Sequence, residues 1–244
     1  MTDLHATFTA LDGVEGWLSP EQVSRLHACA AAVPAGGQIV EIGSFRGRSA
    51  ITMARAAAPS VRITCIDPHV GSDRGPQEFE AQPELGSADN DAFVANLAAA
   101  GAPVGERVRH VRAFSDAALG DVDGPIDLLF VDGAHRYGPA LDDLRRWGDR
   151  VPPGGTMLVH DSFASVGVTA ALLRQVVLHP GWRYAGRDRS LARYVRARNR
   201  PASVAAQLAQ LPWFARNVVI KALILARLAP LARLLGHRDA TWPY

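Results

Sequence analysis

Two rhythms of apolar and polar positions alternate along this chain, and the change from one to the other marks out its elements. Short apolar runs rich in branched residues fall at 39–42, 61–66, 107–111, 126–131 and 156–159. Runs of that length, apolar almost throughout, predict strands buried on both faces. Between them the spacing lengthens to that of helices, predicted over 17–32, 48–57, 91–100, 138–149 and 166–178. The first has a clear start: Ser19 as N-cap, Pro20 at the first helical position and Gln22 closing a capping box, followed by the stripe Val23, Leu26 and Ala30. Pro34 to Gly37 ends it, Pro59 stops the second helix, and Leu141 and Leu144 point the fourth inward. A short helix is expected after Ser115. Two further strands, 182–185 and 191–195, are joined by Gly186 to Ser190, so a parallel series closes with an antiparallel hairpin. From residue 201 the pattern is helical only, over 204–211 and 213–235, with Pro212 between the two and Pro230 breaking the second.

Residues 69–90 fit neither rhythm. Gly71, Gly75, Pro76, Pro83 and Gly86 among polar residues predict a long loop at the strands' carboxyl ends, with His69 and Arg74 placed to hold a substrate, as is Tyr137 further on.

The stretch 38–49, QIVEIGSFRGRS, reads as strand, glycine turn and helix, the front of a nucleotide-binding α/β domain. Gly43 and Gly47 leave room for a ligand against backbone, and free N–H groups at the helix start attract negative charge. A dinucleotide turn needs G-x-G-x-x-G, but Phe45 stands between these glycines, and no Gly-Lys-Ser/Thr is present for a phosphate loop. Both observations count against a nicotinamide dehydrogenase or a P-loop enzyme. Asp67 closes the second strand, where its carboxylate can accept from two ribose hydroxyls or cap the turn at Pro68. Ser115 can cap the helix after the third strand.

Charge changes the picture mainly at the end of the chain. Of 244 residues 48% are hydrophobic and 20% charged, and the net charge is only +2, as in a soluble globular protein. From Arg183 onward, however, twelve cations face only Asp188 and Asp239, leaving that part at +10 and the rest at −8. Such asymmetry suits an anionic partner, a lipid surface or an acidic neighbouring subunit, and equally a solvated arginine-rich face. The stretch WFARNVVIKALILARLAPLARLL could lie on a membrane surface or pack against protein; its cations do not share one face, which favours packing. Lys221 is the only lysine. Cys29 and Cys65 read as reduced core thiols, no signal peptide is apparent, and no uncharged apolar window reaches the ~18 residues that span a bilayer.

The E-x-G-x-x-x-G turn resembles the first motif of class I S-adenosylmethionine-dependent methyltransferases. The segments IVEIGSFRGRSA, ITCIDPH, IDLLFVDGAHRYGPALDDLRRW and PPGGTMLVHDSF resemble, in matching order, the small metal-dependent O-methyltransferases. These include enzymes acting on macrolide sugars and, more distantly, catechol O-methyltransferase. The similarity runs from about Trp17 to Arg196. It implies a Rossmann-like α/β fold with a mostly parallel seven-stranded sheet, an antiparallel last strand, helices on both faces and a C-terminal helical extension. It places Glu41, Gly43, Ser44, Gly47, Ser49, Asp67, Ser115 and Asp132 around S-adenosylmethionine. The family's strand order brings Asp132 and Asp161 together as ligands of Mg²⁺ or another divalent cation, because paired carboxylates repel unless a cation or proton joins them. For the third ligand the resemblance offers His160, where the sugar enzymes have a carboxylate, or Ser162, where the catechol enzyme has asparagine, or water. His135 matches the position of the general base, with Asp132 beside it.

The implied function is methyl transfer to an alcohol, most plausibly a sugar hydroxyl of a glycoside or natural product. The alternatives are a phenol or catechol acceptor, or a membrane-associated, non-catalytic binding protein. The expected organisation is an N-terminal helical cap (1–36), the cofactor-binding domain (37–197) and the extension (198–244). A cytoplasmic homo-oligomer such as a dimer is expected, with a small-molecule partner, no nucleic acid, and membrane-surface contact through the last helix as an option.

Overall fold

The computed structural model describes residues 3–72, 80–105 and 107–237. Its centre is β1 (Gln38–Ile42), flanked by β2 (Arg62–Ile66) on one side and β4 (Leu128–Val131) on the other. Outward from these lie β3 (Val108–Val111) beyond β2, and β5 (Thr156–Val159), β7 (Leu191–Arg196) and β6 (Trp182–Asp188) beyond β4. The order is therefore β3-β2-β1-β4-β5-β7-β6, parallel except for β7, which runs antiparallel to both neighbours. The sequence pattern predicted the seven strands and the closing hairpin, and the family resemblance predicted the Rossmann-like sheet they form. All five residues of β1 and all four of β4 are buried, so both faces must be covered.

Successive side chains point to opposite faces and feed two cores. Ile39, Ile63, Leu128 and Phe130 join Leu26, Ile51, Met53, Phe93 and Leu97 on one face. Val40, Leu129, Val131 and Met157 join Leu144, Trp147, Val168, Leu172 and Trp182 on the other. The helices α2 (Pro20–Ala31), α3 (Arg48–Ala56) and α4 (Pro83–Ala99) cover the first face; α5 (Tyr137–Arg146) and α6 (Val166–Leu172) cover the second. A short α1 (Leu4–Ala10), which the pattern did not announce, precedes them.

Register then sets the working edge. Ile42 pairs with Ile66 and with Val131, and Val131 pairs with Val159. The residues that follow, Gly43, Asp67, Asp132 and His160, therefore emerge level at one rim. Connections leave β1 toward β2 and return on its other side as β4, which makes this rim the switch point where ligands bind such sheets.

Several boundaries differ from expectation. The 69–90 loop is shorter than predicted, because Pro83 does not break a helix but occupies the first turn of α4. Arg74 lies outside the described residues. The helix predicted over 138–149 ends at Arg146 and gives way to a 3-10 turn, Gly148–Arg150; that over 166–178 becomes a π-turn at Leu173–Val177. Pro212 sits within the first turn of α8 (Leu211–Leu225) rather than separating helices, and α7 (Pro201–Leu208) starts earlier.

The extension covers the exposed edge of the sheet. The Tyr184 N–H on β6 donates to Ser203 Oγ at 2.9 Å, Arg187 Nε donates to Gln210 Oε1 at 2.7 Å, and the Arg187 guanidinium stacks 3.9 Å from the Trp213 ring centre. Asn217 donates to the Phe163 carbonyl at 3.2 Å, and Ile220 is fully buried. The other side of α8 and α9 (Ala229–Ala232) is apolar and exposed through Leu225, Leu228, Leu231 and Leu234. By length and composition alone the helical run Pro201–Leu225 could cross a bilayer (mean hydropathy 1.3), although it contains Arg216 and Lys221. No uncharged apolar stretch was needed for that; helices α7 and α8 joined end to end reach the length.

The Ser19–Gln22 capping box is present, each side chain bonded to the other's backbone N–H. Ser19→Ala leaves an orphan donor on α2 and is expected to cost about 1 kcal/mol. Urea denaturation of the two proteins measures this; an unchanged midpoint would show that the cap contributes nothing.

Candidate active site

The turn after β1 touches the end of β4. Gly43 has φ +85°, and a Cβ there would lie 2.1 Å from the Asp132 carbonyl oxygen, so a side chain would push the two strand ends apart. Gly47 has a different reason. Its Cβ would meet Leu97 Cδ1 at 2.5 Å, so this glycine lets α3 pack on α4 rather than admitting a ligand. Phe45 between them adopts φ +44°, an unusual conformation for a bulky residue and a form of strain found at functional sites.

The turn is held from beneath and from the side. Asp67 Oδ2 accepts from the N–H groups of Ser44 and Phe45, both at 2.8 Å, and its Oδ1 accepts from His69 N at 2.7 Å. His69 Nε2 lies 2.7 Å from the Phe45 carbonyl. The carboxylate at the end of β2 thus fixes the turn that faces the ligand. Ser44 Oγ donates to Glu41 Oε2 at 2.7 Å. Glu41 is fully buried, and burial pushes its carboxyl up to about 7 against the hydrogen bonds from Ser49 and Ser44.

Two cavities meet at Gly43, Phe45 and Asp67. The larger, about 500 Å³, runs from Asp67, Pro68 and Val70 to Phe114, Ser115 and Asp143, a volume suited to a nucleoside-sized ligand. In it Ser115 Oγ donates to Asp143 Oδ1, and burial pushes the Asp143 carboxyl up to about 6. The smaller cavity is walled by Trp17, Leu18 and Phe45, with Asp132, His135, His160 and Asp161 on its floor. The rings of Trp17 and Phe45 are 4.7 Å apart.

Most of the expected site residues meet here. Gly43, Ser44, Ser49, Asp67 and Asp132 line the smaller cavity, and Ser115 the larger. Glu41 and Gly47 line neither. His69, expected to hold a substrate, is buried but lines the larger cavity, while Tyr137 is exposed outside both. Ser162 is turned away from the acidic cluster; its hydroxyl donates to the Val159 carbonyl at 2.8 Å. The pattern of the sequence gave no sign of Trp17, Asp143, Arg48 or Lys221 as lining residues. Trp17 read as the start of a helix, Asp143 as a helix position, and Lys221 stands 56 residues from the nearest other residue lining the smaller cavity, Ser165.

Asp132, His135 and Asp161 each offer a ligand atom within 4.8 Å of the others. His135 Nε2 is 2.5 Å from Asp161 Oδ2, and His160 Nδ1 is 3.0 Å from Asp132 Oδ1 and 3.6 Å from Asp161 Oδ2. Burial alone would push the His160 ring's pKa down, but the two carboxylates outweigh it and hold it well above the usual histidine value. Burial likewise favours a protonated Asp161, and the charge of His160 with the hydrogen bond from His135 reverses this, holding the carboxyl well below its ordinary range. The His135 loop is fastened by α6: Ser165 Oγ donates to the His135 carbonyl at 3.2 Å, and a Cβ on Gly167 would lie 2.2 Å from that same oxygen.

A sheet of this order, a glycine turn on β1, a carboxylate closing β2 and a ligand-sized cavity over the switch point define a class I methyltransferase architecture. A methyltransferase-domain family matches residues 40–162, just over half of the chain, and the chain belongs to that family. Among similar solved structures is cofactor-bound Rv0187 from MTB, 23% identical, with TM-score 0.58 over 80% of this chain and 90% of that one. The O-methyltransferase TomG from Streptomyces achromogenes, involved in tomaymycin synthesis and solved in complex with SAM, is 20% identical, with TM-score 0.55 over 80% and 89%. The O-methyltransferase NovP is 19% identical, with TM-score 0.58 over 74% and 81%. At these identities the likeness is one of fold.

The buried Glu41 makes stability depend on pH with a definite sign. The unfolded chain releases this proton near 4.5, whereas the folded protein keeps it to about 7. The contribution is therefore fully present below 4.5 and is lost as pH rises through 7, by roughly 3 kcal/mol. Glu41→Gln cannot titrate, so its unfolding free energy should gain on wild type by about that amount between pH 4.5 and pH 8. Paired urea titrations at the two pH values check this, and a difference that does not change with pH would refute it.

Proposed function

We propose that this methyltransferase transfers the methyl group of S-adenosylmethionine to a hydroxyl oxygen of a small molecule, with His135 as general base. The observation that carries the reading is the 2.5 Å contact between His135 and Asp161, set in a cavity that the glycine turn also lines. The names of similar folds, TomG and NovP among them, point to oxygen as the methylated atom.

The residues suit the cofactor. In this reading the larger cavity takes the adenosine: Asp67 retains about one lone pair for a ribose hydroxyl beyond its three backbone donors, and Ser115 with Asp143 faces the purine. The amino-acid end lies toward Ser44, Arg48 and Ser49, at the start of α3, where no side chain caps the helix. When bound, S-adenosylmethionine supplies a methyl group on a sulfonium that leaves as a neutral thioether. An alcohol is a weak nucleophile at neutral pH, so the chain's own task is to take its proton. Asp161 Oδ2, 2.5 Å from His135 Nε2, would orient the ring at the cavity and stabilise the imidazolium formed. The walls of Trp17 and Phe45 exclude water and orient the acceptor.

The donor set also fits a divalent cation. Asp132 and Asp161 would hold it and it would stabilise charge on the acceptor oxygen, with Mg²⁺ suited to the carboxylates and nitrogen from His160 suited to a first-row transition ion. An ion held by both carboxylates leaves His135 as base; one that also took His135 Nε2 would compete with that role. A second reading needs no metal, because protonated His160 already neutralises the pair.

The acceptor class follows two lines. Resemblance to sugar O-methyltransferases supports a glycoside hydroxyl. The Trp17–Phe45 wall supports a phenol or catechol equally well, since an aromatic face stacks on either a ring or the C–H face of a sugar.

His135→Ala should lower kcat by roughly 10²- to 10⁴-fold while S-adenosylmethionine affinity stays within about twofold. Near wild-type turnover by the variant would remove His135 from the chemistry. Treating wild type with EDTA separates the other two readings: loss of turnover restored by Mg²⁺ or Mn²⁺ supports the cation, whereas unchanged turnover supports the His160-neutralised pair.

A further inference from the structure

Lys221, the only lysine in the chain, lies on α8 and reaches the wall of the smaller cavity. About one turn earlier Asn217 is bonded to the Phe163 carbonyl, which fastens α8 over the loop that follows β5 and carries Asp161 and Ser165. Ile220, next to the lysine, is fully buried, while Lys221 itself is half-buried. The helix thus delivers one cation to the side of the cavity where an acceptor would meet His135.

The carboxylates around it are otherwise accounted for. Glu15 pairs with Arg46 at 2.7 Å, Asp67 is held by three backbone N–H groups, and Asp132 and Asp161 are matched by His160 and His135. Arg48 Nη1 donates to the carbonyls of Val14 at 2.8 Å and Leu11 at 3.3 Å. Among the described residues Lys221 makes no ion pair or hydrogen bond, and residues 201–237 contain no carboxylate at all. An uncompensated ammonium beside a reaction cavity, on a helix with no acid to absorb it, is a fixed attraction for an anion.

We propose that Lys221 selects an acceptor that carries an anionic group, a carboxylate or a phosphate, on the same molecule as the hydroxyl to be methylated. This rests on the methyltransferase reading and adds the charge of the substrate to it. In that reading the cofactor's own carboxylate meets a different side of the same cavity. The uncapped start of α3 and Arg48 belong to the loop after β1, whereas α8 lies over the loop after β5, and β4 separates those strands in the sheet. The extension is then part of the substrate site rather than an appendage.

The uniqueness of the lysine gives a direct test. Reductive ¹³C-dimethylation of the full-length protein labels Lys221 and the N-terminal amine only and keeps the charge, so one side-chain resonance reports on this site. With S-adenosylhomocysteine bound, the protein is titrated with 3,4-dihydroxybenzoate against catechol, and with glucuronate and glucose 6-phosphate against glucose. The anionic member of at least one set should shift the lysine resonance and bind roughly 10- to 100-fold more tightly than its neutral partner. Lys221→Met should remove that preference while S-adenosylhomocysteine affinity stays within about twofold, and Lys221→Arg should restore most of it. The arm that responds, carboxylate or phosphate, identifies the anion. The proposal is overturned if neutral and anionic partners bind alike, or if Lys221→Met weakens S-adenosylhomocysteine by the same factor, which would place the lysine on the cofactor. The titration reads docking without turnover: an anion that docks at Lys221 and is never methylated supports the lysine's role and counts against O-methylation, whereas turnover with no charge preference does the opposite.

Discussion

Everything at the working rim depends on how closely the turn after β1 approaches the end of β4. With a Cβ-to-oxygen distance of only 2.1 Å available at Gly43, any other residue would separate the strands whose register levels Gly43, Asp67, Asp132 and His160. Asp67 then secures the turn by taking two of its N–H groups, and Glu41 supports it from the core through Ser44. A single steric allowance therefore brings the cofactor turn and the acidic cluster into one place.

The cluster is where the molecule concentrates its electrostatic cost. Burying two carboxylates side by side is unfavourable unless positive charge accompanies them. Here the His160 ring does so, and the coupling holds His160 charged and Asp161 ionised although both are buried. In the proposed reading a cation would take the place of the His160 proton, and the alternative reading needs none. In either case Asp161 orients His135, and Ser165 and Gly167 hold the loop that carries it.

The C-terminal helices join three properties that seem unrelated in the linear chain. They cover the edge strand β6, they expose leucines and cations on their outer side, and they present Lys221 on the inner side. Closing a sheet edge places a helix beside the carboxyl end of β5, and a helix there adjoins the reaction cavity. Edge protection and a cavity wall thus follow from the same packing.

The sequence by itself determined the sheet, the closing hairpin, the glycine turn and the acids at the strand ends, because each is a local signal: continuous apolar runs, a capping box, glycines at fixed spacing, aspartates directly after strands. It did not determine what those residues touch. Pro83 looked like a breaker and starts a helix; Gly47 looked like room for a ligand and accommodates Leu97; Ser162 looked free to bind a metal and is bonded to Val159. Trp17, Asp143 and Lys221 carry no motif, and only tertiary packing brings them to the two cavities. The division has a physical basis. Propensity and burial pattern act over a few residues and are written into the chain, whereas a cavity wall is assembled from side chains distant in sequence, whose meeting depends on strand register and on how the helices pack.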